Sequence, residues 1–242
     1  MSGTIVDIMN EAGKLLKLKV DWTEEVGWGT TVEALRSGRI DAICTDYWME
    51  PIEGRYVGYT MPLYYGAMTV YVRADDHRFD GGIGALNDSS AILSATDGEM
   101  AGFVAQMFFP KTKIFSVPNM TALSQNLLNV ATGKADFAFP DTMTGLLFER
   151  NNPGKVRRLM PDPLFLFPVT IALPQGDVAI KTMLDTALAM LMNGGIVNKT
   201  LDKYGLSANA THRVARPYEV PQAAISPVLS NPSESAKTLP TQ

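Results

Sequence analysis

The chain has 242 residues but only one cysteine and two histidines. A single cysteine, Cys44, excludes an intrachain disulfide and a cysteine-based metal cluster. It lies in an apolar stretch and reads as a buried small hydrophobe. His77 and His212 are isolated, so they offer neither a metal-ligand set nor a Ser-His-Asp arrangement. Basic residues are in deficit: 21 Lys and Arg against 25 Asp and Glu give a net charge of −4. That argues against nucleic acid, whose phosphates need a basic face. No run approaches the ~18 apolar residues of a membrane span. No basic start followed by an apolar stretch opens the chain, so no export signal is visible. Gly81-Gly82-x-Gly84 lacks the strand-before, helix-after setting of a phosphate loop, so no cofactor is expected.

What is present is a core-forming composition, 46% hydrophobic and 9% aromatic, and a repeated pattern. Gly38-Arg39-Ile40-Asp41-Ala42-Ile43-Cys44-Thr45-Asp46 returns as Gly133-Lys134-Ala135-Asp136-Phe137-Ala138-Phe139-Pro140-Asp141. Each copy follows a segment with helical spacing, and glycine after a helix is a common stop. Each reads as helix, turn, short strand, aspartate. Open α/β sheets place ligands at the carboxyl ends of strands, which is where Asp46 and Asp141 fall. Two similar α/β lobes are therefore expected. Asp41 and Asp136, at the strand starts, read as structural.

The remaining pattern fills in the order. Ile5, Ile8, Met9, Ala12 and Leu15 predict a helix, and Leu18–Trp22 alternates like a strand. Strands are expected at Asp41–Thr45, Met68–Val72, Ala91–Ser94, Ile114–Val117, Asp136–Phe139, near 157 and at Pro168–Pro174. Helices are expected near Met100–Phe108, Thr121–Thr132 and Thr144–Arg150, then from Ile180 to Leu191 and Ile196 to Tyr204. Residues 208–242 hold five prolines and no periodicity, and read as a mobile tail.

Several segments together resemble family 3 of the bacterial solute-binding proteins, which serve polar amino-acid ABC transporters. They are "VDIMNEAGKLLKLKV", "ALRSGRIDAI", "YTMPLYYGAMTVYVRADD", "GKADFAFPD" and "GGIVNKTLDKYG". The likeness covers about residues 3–206. It implies a type II periplasmic-binding-protein-like fold, two α/β lobes joined by two hinge strands, with the ligand held between them. Lobe 1 is expected at 1–73 plus 171–207, and lobe 2 at 74–170. The resemblance also implies a periplasmic or cell-surface location, a monomer, and an ABC permease as partner.

Three departures from the family stand out. Its first strand is missing, so the natural protein is expected to carry an upstream strand and export signal. Its carboxylate-gripping arginine aligns with Glu53, with Arg55 two residues away as a possible substitute. Its second-lobe Gly-Thr anion cradle is replaced by Thr96-Asp97-Gly98-Glu99. Asp141 does match the position of the family's ammonium-binding aspartate.

The candidate ligand-binding residues are thus Trp28, Asp46, Tyr47, Trp48, Glu53, Asp97 and Asp141. Carboxylates beside aromatic faces suit a cationic group. The competing reading for each aspartate is a helix cap, and for each aromatic, core filling. Tyr64 and Tyr65 read as packing near the hinge. The expected function is delivery of a small polar solute, an amino acid or related amine, without catalysis. A cyclohexadienyl-dehydratase-like enzyme, with Glu53 or Glu99 as acid, and a sensor domain are the alternatives on the same fold.

Overall fold

This computed structural model describes residues 2–23, 25–206 and 211–214. Helix α1 (Thr4–Leu16) buries Ile5, Ile8, Met9 and Ala12 and stops at Lys17, which takes a left-handed φ of 55°. Helix α2 (Thr31–Arg36) leads to strand β1 (Ile43–Trp48), followed by β2 (Val57–Tyr59), β3 (Tyr64–Met68) and β4 (Tyr71–Arg73). Then come β5 (Ile92–Thr96), α3 (Met100–Phe108), β6 (Lys113–Val117), α4 (Ser124–Ala131), β7 (Phe137–Ala138), α5 (Thr142–Asn151) and β8 (Val156–Arg158). The chain closes with β9 (Phe165–Pro174), α6 (Val178–Asn193), α7 (Ile196–Lys203) and β10 (Thr211–Arg213).

These strands form two sheets. In the first, the order is β1-β9-β3-β10, with β2 also paired to β9, and every pairing is antiparallel. In the second, the order is β6-β5-β7-β4-β8, with β5 parallel to both neighbours. Parallel pairs need a crossover helix, and α3 and α4 supply them. The chain leaves the first sheet between β3 and β4 and returns between β8 and β9. Both crossings fall a few residues ahead of the lobe boundaries expected at 73 and 170. Helices α1, α6 and α7 pack their apolar stripes on the first sheet around Ile8, Ile171, Leu173, Leu188 and Leu201. A separate core of Met68, Val72, Leu93, Val104, Phe137 and Phe139 fills the second lobe.

Four expectations need correction. Leu18–Trp22 forms no strand. A strand needs a ladder partner, and β1 pairs only with β9 among the described residues. A cavity of about 1030 Å³ separates Leu18–Trp22 from Ile43, Cys44 and Thr45 instead. The strand expected at Asp41–Thr45 is shifted to Ile43–Trp48, so Asp46, expected at its carboxyl end, lies within β1 together with Tyr47 and Trp48. The expected hinge strand Met68–Val72 is two strands, broken at Thr69–Val70. The tail expected from 208 is strand at Thr211–Arg213, paired with Tyr64–Gly66. Residues 208–210 and 215–242 of that expectation lie outside the described residues. Cys44 is half-buried, and desolvation pushes its thiol up to about 12, so it stays protonated.

Ile171 sits fully buried in β9, inside the first core. Ile171→Ala should cost about 2–5 kcal/mol, read as a lower urea midpoint with an unchanged slope.

Candidate functional site

Strand alternation sets the first wall. Asp46 and Trp48 leave one face of β1 and Tyr47 the other. Tyr47 is buried against Trp28, with ring centroids 5.8 Å apart, and its hydroxyl donates to Glu53 Oε2 at 2.5 Å. Glu53 opens a single helical turn that Glu50 caps: Glu50 accepts from the Ile52 and Glu53 amides at 2.9 and 2.7 Å. Asp46 accepts from the Tyr64 hydroxyl at 2.5 Å. Trp48 stacks on Phe167 at 4.9 Å and lies over Gly66, where a Cβ would come 2.8 Å from the indole nitrogen. Gly66 is therefore the space that Trp48 occupies.

The second wall is built from two helix starts. Glu99 is the N-cap of α3 and accepts from the Ala101 amide at 3.0 Å. Asp141 is the N-cap of α5 and accepts from the Thr144 amide at 2.9 Å. The Ser116 hydroxyl donates to Asp97. Behind this wall a buried network fixes Thr96. The Asn126 amide donates to Thr96 Oγ1 at 3.0 Å, while its carbonyl accepts from Ser94 at 2.8 Å. A fully satisfied network of this kind holds one arrangement.

The walls enclose a cleft of about 850 Å³. All seven candidates line it: Trp28, Asp46, Tyr47, Trp48, Glu53, Asp97 and Asp141. Glu50, Tyr64, Thr96, Glu99 and Phe103 line it too. Glu50 and Tyr64 were missed by the sequence reading. The signal for Glu50 was a carboxylate followed by Pro51, a usual opening for a helical turn. No lysine or arginine is among the described lining residues. Arg55 is exposed, with its guanidinium 5.5 Å from the Tyr56 ring centroid, and does not line the cleft.

The carboxylates feel one another. Desolvation raises the Asp46 carboxyl above its ordinary range; the Tyr64 hydrogen bond opposes this and the charge of Asp141 adds to it. Desolvation lifts Glu99 to about 7, opposed by its amide bond and helped by Asp141. Glu53 is raised by desolvation, against the Tyr47 bond, with Glu50 contributing. Tyr47 and Tyr64 are pushed upward by desolvation and by their carboxylate partners, so both hydroxyls stay protonated donors.

The lobes also touch. At Gly98, with φ 76°, a Cβ would fall 2.6 Å from the Gly29 amide nitrogen. Gly27 and Gly29 in turn lie close to the Asn119 side chain. A glycine-lined seam thus closes one side of the cleft.

Two sheets joined by two crossings, with an acidic cleft between them, is an arrangement with known relatives. Residues 1–207 match the bacterial extracellular solute-binding proteins, family 3. The chain belongs to that family. Solved structures share the family fold. An ancestral arginine-binding protein bound to arginine is 17% identical, with a TM-score of 0.71 over 84% of this chain and 87% of that one. The cysteine-binding protein of Campylobacter jejuni is 17% identical, with a TM-score of 0.71 over 86% of this chain and 82% of that one. An ancestral amino acid-binding protein, a precursor of cyclohexadienyl dehydratase, is 20% identical, with a TM-score of 0.71 over 84% of each chain. No curated protein matches the chain.

Two outcomes check this geometry. Gly98→Ala should loosen the seam, giving a larger radius of gyration by small-angle scattering and a lower melting temperature. Gly154→Ala, also at positive φ (73°) but with open space around it, should lower stability less and leave the radius unchanged. The second outcome concerns Glu99. Its folded value lies above its ordinary one, so its ionised form penalises folding. That penalty is absent below its ordinary value of 4.5 and grows as pH rises towards about 7. Glu99→Gln should therefore melt a few degrees above the parent at pH 8, with the gap closing below pH 4.5.

Proposed function

We propose that this chain is an extracytoplasmic solute-binding protein that closes two lobes on a small polar solute carrying an ammonium group. The closed form then hands the solute to an ABC permease in the periplasm or at the cell surface. The observation that carries this reading is the convergence of Asp46, from β1, and Asp141, from the start of α5, on one cleft. A single cationic group between them would tie the lobes together, which is how differential contact drives a hinge. The two crossings between the sheets are the places where such a hinge would flex. The ligand-binding roles of Trp28, Tyr47, Trp48, Glu53 and Asp97 are part of the same proposal, since each lines that cleft.

A second reading has one observation in its favour. Glu99, held near 7, is poised as a general acid for a dehydratase. Against it, cationic groups must hold the carboxylates of such a substrate, and the described lining has none.

Asp141→Asn separates cap from charge. Asparagine caps helices as well as aspartate does, so stability should change little. Affinity for the solute, by titration calorimetry, should fall about 10- to 100-fold with loss of a charge-assisted bond. Unchanged affinity would remove Asp141 from the site, and turnover of prephenate would replace the transport reading with the enzymatic one.

A further inference from the structure

We infer that the cleft takes a linear primary diamine without a carboxylate, in preference to an α-amino acid; this rests on the solute-binding reading above.

The first argument is where a ligand carboxylate would have to go. Helix N-termini are ready-made anion sites. Two that open on this cleft, α3 and α5, hold the protein's own carboxylates, Glu99 on the Ala101 amide and Asp141 on the Thr144 amide, so negative charge already stands where an anion would dock. Three side-chain donors of the lining are committed to carboxylates of the same cleft. Tyr64 donates to Asp46, Tyr47 to Glu53 and Ser116 to Asp97. With no lysine or arginine in the described lining, an incoming carboxylate would meet acceptors and negative charge.

The second argument is what the acceptors ask for. They fall into two groups. Asp46, Glu99 and Asp141 share one field, since Asp141 acts on both of the others. Glu50 and Glu53 share a second, on the helical turn after β1. Two acidic groups suit two positive charges. A primary ammonium carries three N–H donors and can satisfy carboxylate oxygens, whereas a quaternary ammonium carries none. A methylene chain joining the two ammonium groups would be covered by apolar and aromatic lining such as Trp28, Trp48 and Phe103.

The test uses the whole chain and a matched pair of ligands. Cadaverine is lysine without its carboxylate, so titration calorimetry with each isolates that group. Cadaverine or putrescine should bind at least about tenfold more tightly than lysine. Glu53→Gln should weaken cadaverine far more than pentylamine, which lacks the second ammonium. Lysine, arginine or a neutral amino acid binding as tightly as the diamines would overturn this inference and leave the solute-binding reading standing. Tight binding of glycine betaine with none of the diamines would overturn it too. Heat from none of these amines or amino acids would overturn both. Equal loss of cadaverine and pentylamine in Glu53→Gln would overturn the two-ammonium arrangement.

Discussion

The pairing of β3 with β9 is the constraint on which the rest depends. Five consecutive residues of each run side by side, from Tyr64 against Val169 to Met68 against Phe165. Both strands stand at the passage between sheets, so their register fixes how one lobe sits on the other. It also fixes the cleft floor. Tyr64 holds Asp46, Gly66 makes room for Trp48, and Phe167 stacks beneath that indole. A slip by one residue would turn each of these side chains to the opposite face. Thr142 locks the second wall to the same strand, its hydroxyl donating to the Ala67 carbonyl at 3.0 Å.

On that frame the electrostatics are unusual for a site that faces helix starts. Capping by Glu99 and Asp141 stabilises α3 and α5 through the helix dipole. The same bonds place negative charge at two helix starts that would otherwise favour an anion. A residue that caps a helix and a residue that shapes a binding site are usually weighed as competing readings. At Asp141 the two readings are compatible: the cap orients the carboxylate, and the strand before it places that cap at the cleft. Desolvation then makes charge in the cleft costly, which a cation entering it would relieve.

Much of this was legible because it depends on local pattern. The repeated glycine, base, apolar, aspartate run located both strands, with the first displaced so that Asp46 lies inside it, and helical spacing gave α1, α3, α4, α6 and α7 closely. Asp136 behaves as its position suggested, accepting from the Ile92 amide and pairing with Arg78. What failed was tertiary. Leu18–Trp22 has the alternation of a strand, but alternation does not supply a neighbour. Thr211–Arg213 has a tail's composition yet pairs with β3, because that strand offered an open edge. The three departures from the family pattern, taken singly, looked like losses. Arg55 repaired none of them, since it rests over Tyr56 outside the cleft.

Tyr64 shows how occupancy of the cleft could reach the hinge. Its hydroxyl reaches past β9 to Asp46 on β1, its backbone pairs with Val169 on one side and Arg213 on the other, and four residues later the chain reaches Met68 and leaves the sheet. Burial disfavours the charged form of Asp46, and the Tyr64 hydrogen bond opposes that shift. A ligand ammonium beside Asp46 would share that role and relax the demand on the Tyr64 bond. Under the proposed hinge closure, the strand that would flex is also the strand that answers the cleft's charge. Coupling between the proposed binding and closure would need no longer path than the one hydrogen bond and the strand that carries it.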